Sequence, residues 1–145
     1  MTNIFSATDI RGSVGESLTT EYIWNAGKAF AEWLPDEGPI VVQTAEGDGT
    51  AHALIEGLLL QGRTILQIAT GDPIVLTTTI ADNQAAGGAT VRYEPTQNLA
   101  VITLFDRQGA AITGTSLAEI SQIAEAGNIV PAPEKGELIS PAAAE

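Results

Sequence analysis

The chain has 145 residues, no cysteine, 18 acidic against 6 basic side chains, and a formal net charge of −12. One domain is expected at this length, able to bury about 70% of its unfolded surface without a disulfide or a metal. The missing thiol excludes disulfide frameworks, thiolate metal sites and cysteine nucleophiles. The excess of carboxylates excludes a surface for nucleic acid or anionic lipid, because phosphate binding needs clustered Lys and Arg. That acidic surface reads as a means of solubility, with an acidic face for a basic partner as the alternative. The N-terminus lacks the basic and apolar regions of a signal peptide, and no apolar run approaches the roughly 20 residues of a membrane span. A cytoplasmic protein is expected.

Ile4 and Phe5, followed by Asp9 and by glycines at 12 and 15, predict a short strand, a turn and a return. Thr19 or Thr20 is placed to cap a helix whose stripe is Ile23, Ala26, Gly27, Phe30, Ala31 and Leu34; Pro35 stops it. Trp24 and Trp33 flank the stripe as packing anchors. Pro39–Val42 predicts a buried strand, Ala51–Leu60 a helix ended by Gly62, and Arg63–Ala69 a second strand. Asp72 and Pro73 suit the cap and first turn of another helix, expected to run to about Ala86 and break at Gly87-Gly88. Ala89–Tyr93 and Leu99–Phe105 predict two more strands, the second apolar enough to be central. Asp106–Gly109 reads as a turn, and Ala110–Ile112 extends the sheet. Thr115 or Ser116 caps a last helix, with Glu119 placed for a capping box. Residues 1–127 form the domain, and the Pro- and Ala-rich residues 128–145 read as a tail or linker. Strands alternating with helices predict an α/β three-layer α/β/α sandwich with a mixed, mainly four-stranded sheet.

The stretch Phe5-Ser6-Ala7-Thr8-Asp9-Ile10-Arg11-Gly12-Ser13-Val14-Gly15 resembles the opening strand and loop of the α-D-phosphohexomutases, the phosphomannomutase and phosphoglucomutase family. Leu18–Ala31 is similar to that family's first helix, and Gly57–Gly62, Arg63–Ala69 and Gly71-Asp72-Pro73 to its next helix, strand and turn. The likeness covers about residues 4 to 126 and implies the first domain of a four-domain enzyme. It further implies a phosphoryl-carrying serine in a T-x-S-H-N-P loop, Mg²⁺ held by that phosphoserine and by a later acidic loop, and a sugar phosphate as substrate. A phosphoserine and Mg²⁺ suit phosphoryl transfer, which depends on positioning and charge neutralisation.

The sequence departs from this pattern at the chemistry. Between Val91 and Leu99 stands Arg92-Tyr93-Glu94-Pro95-Thr96-Gln97-Asn98, with neither serine nor histidine. The family's arginine-bearing G-R-D-x-R segment becomes Thr44-Ala45-Glu46-Gly47-Asp48-Gly49, and its loop Tyr or Asn is Thr8. No catalytic residue and no metal ligand is therefore expected. The resemblance leaves Thr8, Asp9, Arg11, Arg92 and Thr96 as ligand-binding candidates. Arg11 either binds an anion or pairs with Asp9 or a helix C-terminus to fix its loop. Glu46 and Asp48 read as a solvated turn rather than a cation loop. His52 reads as an exposed helical side chain, and Gly49-Thr50 as a helix start rather than a phosphate cradle. Three functions are expected, in this order. The first is a stand-alone, non-catalytic relative acting through a protein partner or through self-association on the apolar helix 51–60. The second is a phosphosugar mutase fragment or subunit, for which alone Mg²⁺ is needed. The third is a sugar-phosphate-binding module.

Overall fold

The computed structural model describes residues 9–15, 18–35, 38–44, 49–69, 71–126 and 129–139. Strand β1 spans Ile10–Ser13, α1 Thr20–Trp33, β2 Ile40–Thr44, α2 Gly49–Leu60 and β3 Ile65–Ala69. Then follow α3 at Pro73–Asp82, β4 at Gly87–Glu94, β5 at Leu99–Asp106, α4 at Gly114–Ala126 and β6 at Leu138–Ile139. The strands form one six-stranded sheet in the order β1-β5-β4-β2-β3-β6. β2 lies parallel to both β3 and β4, while β5 runs antiparallel to β4 and to β1. The four long strands, β2 to β5, are the expected ones; β1 and β6 are short edges added to them. Ile4 and Phe5 lie outside the described residues.

Among the described residues, α1, α2 and α4 cover one face of the sheet, and α3 packs on the other. Phe30, Ile23, Leu54, Leu58, Leu117 and Ile120 join Ile40, Val42, Ile65, Ala89 and Ile102 in the main core. On the α3 face, Leu76 and Ile80 pack with Val41 and Leu66. The helix starts are as the local chemistry predicts. Thr19 accepts from Tyr22 N at 3.3 Å, and Asp72 accepts from Ile74 N at 3.0 Å. Gly62, at φ 79°, ends α2.

Four expectations change. α3 ends at Asp82, where the Asn83 amide donates to Thr79 O at 2.9 Å and Ala85 N returns to Ile80 O. Gly87 and Gly88 therefore do not break a helix; they open β4. A Cβ on Gly87 would stand 2.6 Å from Phe105 O, and one on Gly88 2.9 Å from Ile80 Cδ1, so neither position has room for a side chain. Glu119 does not close a capping box, because its carboxylate accepts from Trp33 Nε1 at 3.1 Å, tying α4 to α1. Residues 129–139 do not trail away. Ala132 N and Gly136 N donate to Leu60 O and Leu59 O, Ile65 N donates to Glu137 O, and β6 pairs with β3. This segment satisfies carbonyls that the end of α2 would otherwise leave bare.

The expected self-association face on α2 is corrected as well. Leu54, Ile55, Leu58 and Leu59 are buried within the chain's own fold, which leaves only the half-buried Leu60 of the expected face in reach of a partner. A helix apolar on more than one side is packed on more than one side.

α1 and α2 meet backbone to backbone. A Cβ on Gly27 would stand 2.6 Å from Leu54 O, and one on Gly57 would strike Trp24 O. Next to this seam Arg63 is buried, at 8% exposure, and its guanidinium donates to Ala31 O at 2.8 Å, Leu34 O at 3.3 Å and Gly38 O at 3.3 Å. α1 has no basic residue in its own last turn, so Arg63 supplies the positive charge that its C-terminal dipole favours. Gly57→Ala gains about 1 kcal/mol of helix propensity but overpacks the seam. A net loss of about 2 kcal/mol is expected from urea unfolding; a stabilised variant would disprove the backbone contact.

Candidate functional site

β4 runs parallel to β2 and β3, and β1 is parallel to β4 through the intervening antiparallel β5, so all four deliver their C-terminal ends to one rim. Loops at such a rim are where open α/β sheets place their chemistry. The β4–β5 connection lies there as a turn, Pro95–Asn98, closed by Gln97 N donating to Glu94 O at 3.2 Å and Asn98 N to Pro95 O at 3.3 Å.

Register decides which candidates face the same way. Val101 of β5 is opposite Arg11 on one side and Arg92 on the other. Directly paired residues of neighbouring strands project to one face, so both arginines leave the sheet on the α3 side, two strands apart. At about 4.8 Å per strand, their Cα atoms stand roughly 10 Å apart. One row outward, Ser13 and Glu94 flank Leu99; one row inward, Thr103, Thr90 and Gln43 follow one another across β5, β4 and β2. Gln43 is buried, and its Nε2 donates to Asp72 O at 3.2 Å, which anchors the start of α3 beside this polar face.

Asp9 and Arg11 form a bidentate pair: Arg11 Nε donates to Asp9 Oδ1 at 2.7 Å and Nη2 to Oδ2 at 2.6 Å. Asp9 is buried, whereas the Arg11 side chain is 49% exposed. These hydrogen bonds, then the charge of Asp9, raise the Arg11 pKa above its usual value. Arg92 is exposed at the end of β4. Thr96 sits on the exposed turn beyond the strands. Thr8, and the loop residues Glu46, Gly47 and Asp48, lie outside the described residues. His52 is exposed early in α2. The structure thus joins Asp9 to Arg11 and sets Arg11 and Arg92 in one row, with Thr96 on the turn that follows Arg92.

Two residues at this end were not singled out from the sequence. Asn98 has φ 50°, donates Nδ2–H to Val14 O at 2.9 Å, and accepts from Tyr93 Oη at 2.9 Å. Gln43 is the other. The available signal for Asn98 was its place at the end of a polar turn, where Asn tolerates positive φ. Gln43 carried none, since its partner is 29 residues away. A cleft of about 700 Å³ lies elsewhere, where the end of α1, the α2–β3 turn and residues 132–134 meet. The Arg63 guanidinium on its wall is already committed to carbonyls. No described helix is long and apolar enough to cross a membrane.

Asp9→Asn keeps the size of the side chain and removes the charge that holds Arg11. The Nε–H proton of Arg11, sheltered by its bond to Oδ1, is expected to exchange markedly faster in the variant by NMR. An unchanged rate would mean that Asp9 is not its anchor.

Comparison with known proteins agrees with this geometry. Residues 2–129 match the phosphoglucomutase/phosphomannomutase alpha/beta/alpha domain I. A probable phosphoglucosamine mutase of Pyrococcus horikoshii is 30% identical over 95% of the chain, which spans 32% of that protein. A protein of Thermus thermophilus assigned as a phosphomannomutase superposes with a TM-score of 0.77 at 20% identity, over 96% of this chain and 33% of that one. A phosphoglucomutase/phosphomannomutase family protein of Burkholderia thailandensis gives 0.76 at 21% identity, over 95% and 32%. The chain thus spans about a third of the length of these relatives. It belongs to the phosphoglucomutase/phosphomannomutase family, and its fold is that family's alpha/beta/alpha domain I.

Proposed function

We propose that this chain works as a phosphohexomutase domain I that receives a sugar phosphate at its rim without carrying the phosphoryl group itself, and that it acts in company with other domains or chains. The observation behind this is the row Arg11–Val101–Arg92, which sets two guanidinium groups on one face beside a turn that has no serine or histidine. The planar fork of the exposed Arg92 suits phosphate oxygens, while Arg11, whose Nε and Nη2 are held by Asp9, adds a half-exposed side chain in the same row. The similarity to a probable phosphoglucosamine mutase supports a hexose or hexosamine phosphate as the ester.

The Mg²⁺ that the family resemblance implies does not fit this turn. Its partner would be a phosphoserine, residues 92–98 contain no serine, and Glu94 is the one carboxylate among them. Phosphoryl transfer then falls to groups outside the turn. Incubation with glucosamine 1-phosphate or glucose 1-phosphate, a hexose bisphosphate and Mg²⁺ tests the reading. No turnover by the chain alone and no phosphate on Thr96 are expected, while NMR titration with either ester should shift Arg92 and Val101. Turnover by the chain alone, or phosphorylated Thr96, would overturn it.

A second reading, contact with protein and no ligand, is favoured by Ile74 and Val75, which are 64% and 47% exposed on the first turn of α3. Apolar side chains in solvent at this end suit an interface. Light scattering at high micromolar concentration should then show a dimer that Ile74→Asp dissolves; a monomer would count against it.

A further inference from the structure

The turn that carries Thr96 is held at two ends by one residue. Asn98 Oδ1 accepts from Tyr93 Oη, which looks back to β4, and Asn98 Nδ2 donates to Val14 O, which looks across to the end of β1. Val14 N in turn donates to Asn98 O at 2.9 Å, so Asn98 and Val14 are joined by two bonds. The backbone of Asn98 is left-handed, at φ 50°. Asn adopts that conformation more readily than other side chains, and no other uncharged side chain of this length brings a donor and an acceptor together.

Strand ends at a rim fray unless they are tied, because few buried contacts hold them. β1 is an edge strand of four residues, and Arg11 lies within it; β4 ends at Glu94, two residues after Arg92. β5 joins them in the sheet, but beyond Leu99 the sheet has no further paired residues on either side. The Asn98 bonds begin where that ladder stops.

We infer that Asn98 is a positioning residue: it latches the β4–β5 turn to the end of β1 and so keeps Arg11 and Arg92 as a preset pair for one anionic ester. This rests on the reading of the rim as a receiver of sugar phosphate. Without the latch the ends must be ordered when the ester binds, and that ordering weakens affinity although neither arginine is altered.

Asn98→Gly tests it. Glycine keeps the left-handed turn at no steric cost and removes both side-chain bonds. The Val14 amide should exchange about tenfold faster than in the unaltered chain, while the Ile102 amide in mid-β5 keeps its rate. The Kd for glucose 1-phosphate, from NMR titration, should rise about fivefold. Asn98→Asp keeps the acceptor for Tyr93 and loses the donor for Val14, so its Val14 exchange rate should fall between the two, while its added charge raises the Kd on its own account. Faster Val14 exchange with an unchanged Kd overturns the positioning role, as does a variant identical to the unaltered chain in both measurements. If the unaltered chain takes no glucose 1-phosphate at about 10 mM, the receiving rim itself is refuted. That result is distinct from a chain that binds the ester with or without Asn98.

Discussion

Two glycines decide how closely the helical layer can sit. With hydrogen alone at positions 27 and 57, α1 and α2 approach until each backbone meets the other's carbonyls. That approach lowers Phe30 and Leu58 onto Ile40, Val42 and Ile65 in one core. It also brings the end of α1 to the α2–β3 turn, where Arg63 can reach Ala31 O and Leu34 O. A buried guanidinium is costly unless its donors are satisfied, and here the negative end of a helix satisfies them. The same turn receives the C-terminal segment, since Gly136 lies against Arg63 O with no room for a Cβ. One close contact thus fixes the helical roof, the charge that seals it, and the strand that closes the far edge.

The distribution of positive charge follows from this architecture. The chain has only six basic residues. Arg63 and Lys28 are buried, the latter with its Nζ 4.8 Å from the Trp24 ring centroid. Arg11 is committed to Asp9, Lys135 to Glu56, and Arg107 is engaged too. Arg92 stands exposed at the rim. In a chain of net charge −12, an approaching anion meets repulsion over most of the surface. A partly screened Arg11 and an open Arg92 in one row are the exception.

Much of what depended on near neighbours could be read from the sequence. The caps Thr19 and Asp72 bond to residues two and three positions on, and Asp9 with Arg11 needs only the period of a strand to share a face. The family likeness around Asp-Ile-Arg-Gly was legible for the same reason, and with it the fold. Distant partners defeated the reading. Gly87-Gly88 satisfies every local rule for a helix break, yet its role is set by Phe105 O and Ile80. The apolar pattern of α2, on more than one side, does not by itself separate a covered helix from a face that awaits a partner; the elements packed against it do. Three prolines after Asn128 suggest a tail, although Ala132 and Gly136 are bonded to α2 more than 70 residues earlier. Asn98 belongs with these, because its bond to Val14 spans 84 positions.

A loop that carries a phosphoryl group must offer it free N–H groups, a nearby cation and a base for the accepting hydroxyl. The Pro95–Asn98 turn spends the N–H groups of Gln97 and Asn98 inward, on Glu94 O and Pro95 O. Its hydroxyl, Thr96, has no histidine beside it in the turn, since the chain's single histidine is His52 in α2. Glu94, on the same face as Arg92, is poorly suited as a base, because its charge would oppose the very phosphate it had to serve. The arginine row has a different aptitude. On the proposed reading, two arginines whose Cα atoms stand about 10 Å apart draw in an ester, and neither needs to change protonation. In the function proposed above, attraction of the ester depends on two strands in register, whereas transfer depends on one side chain at the turn.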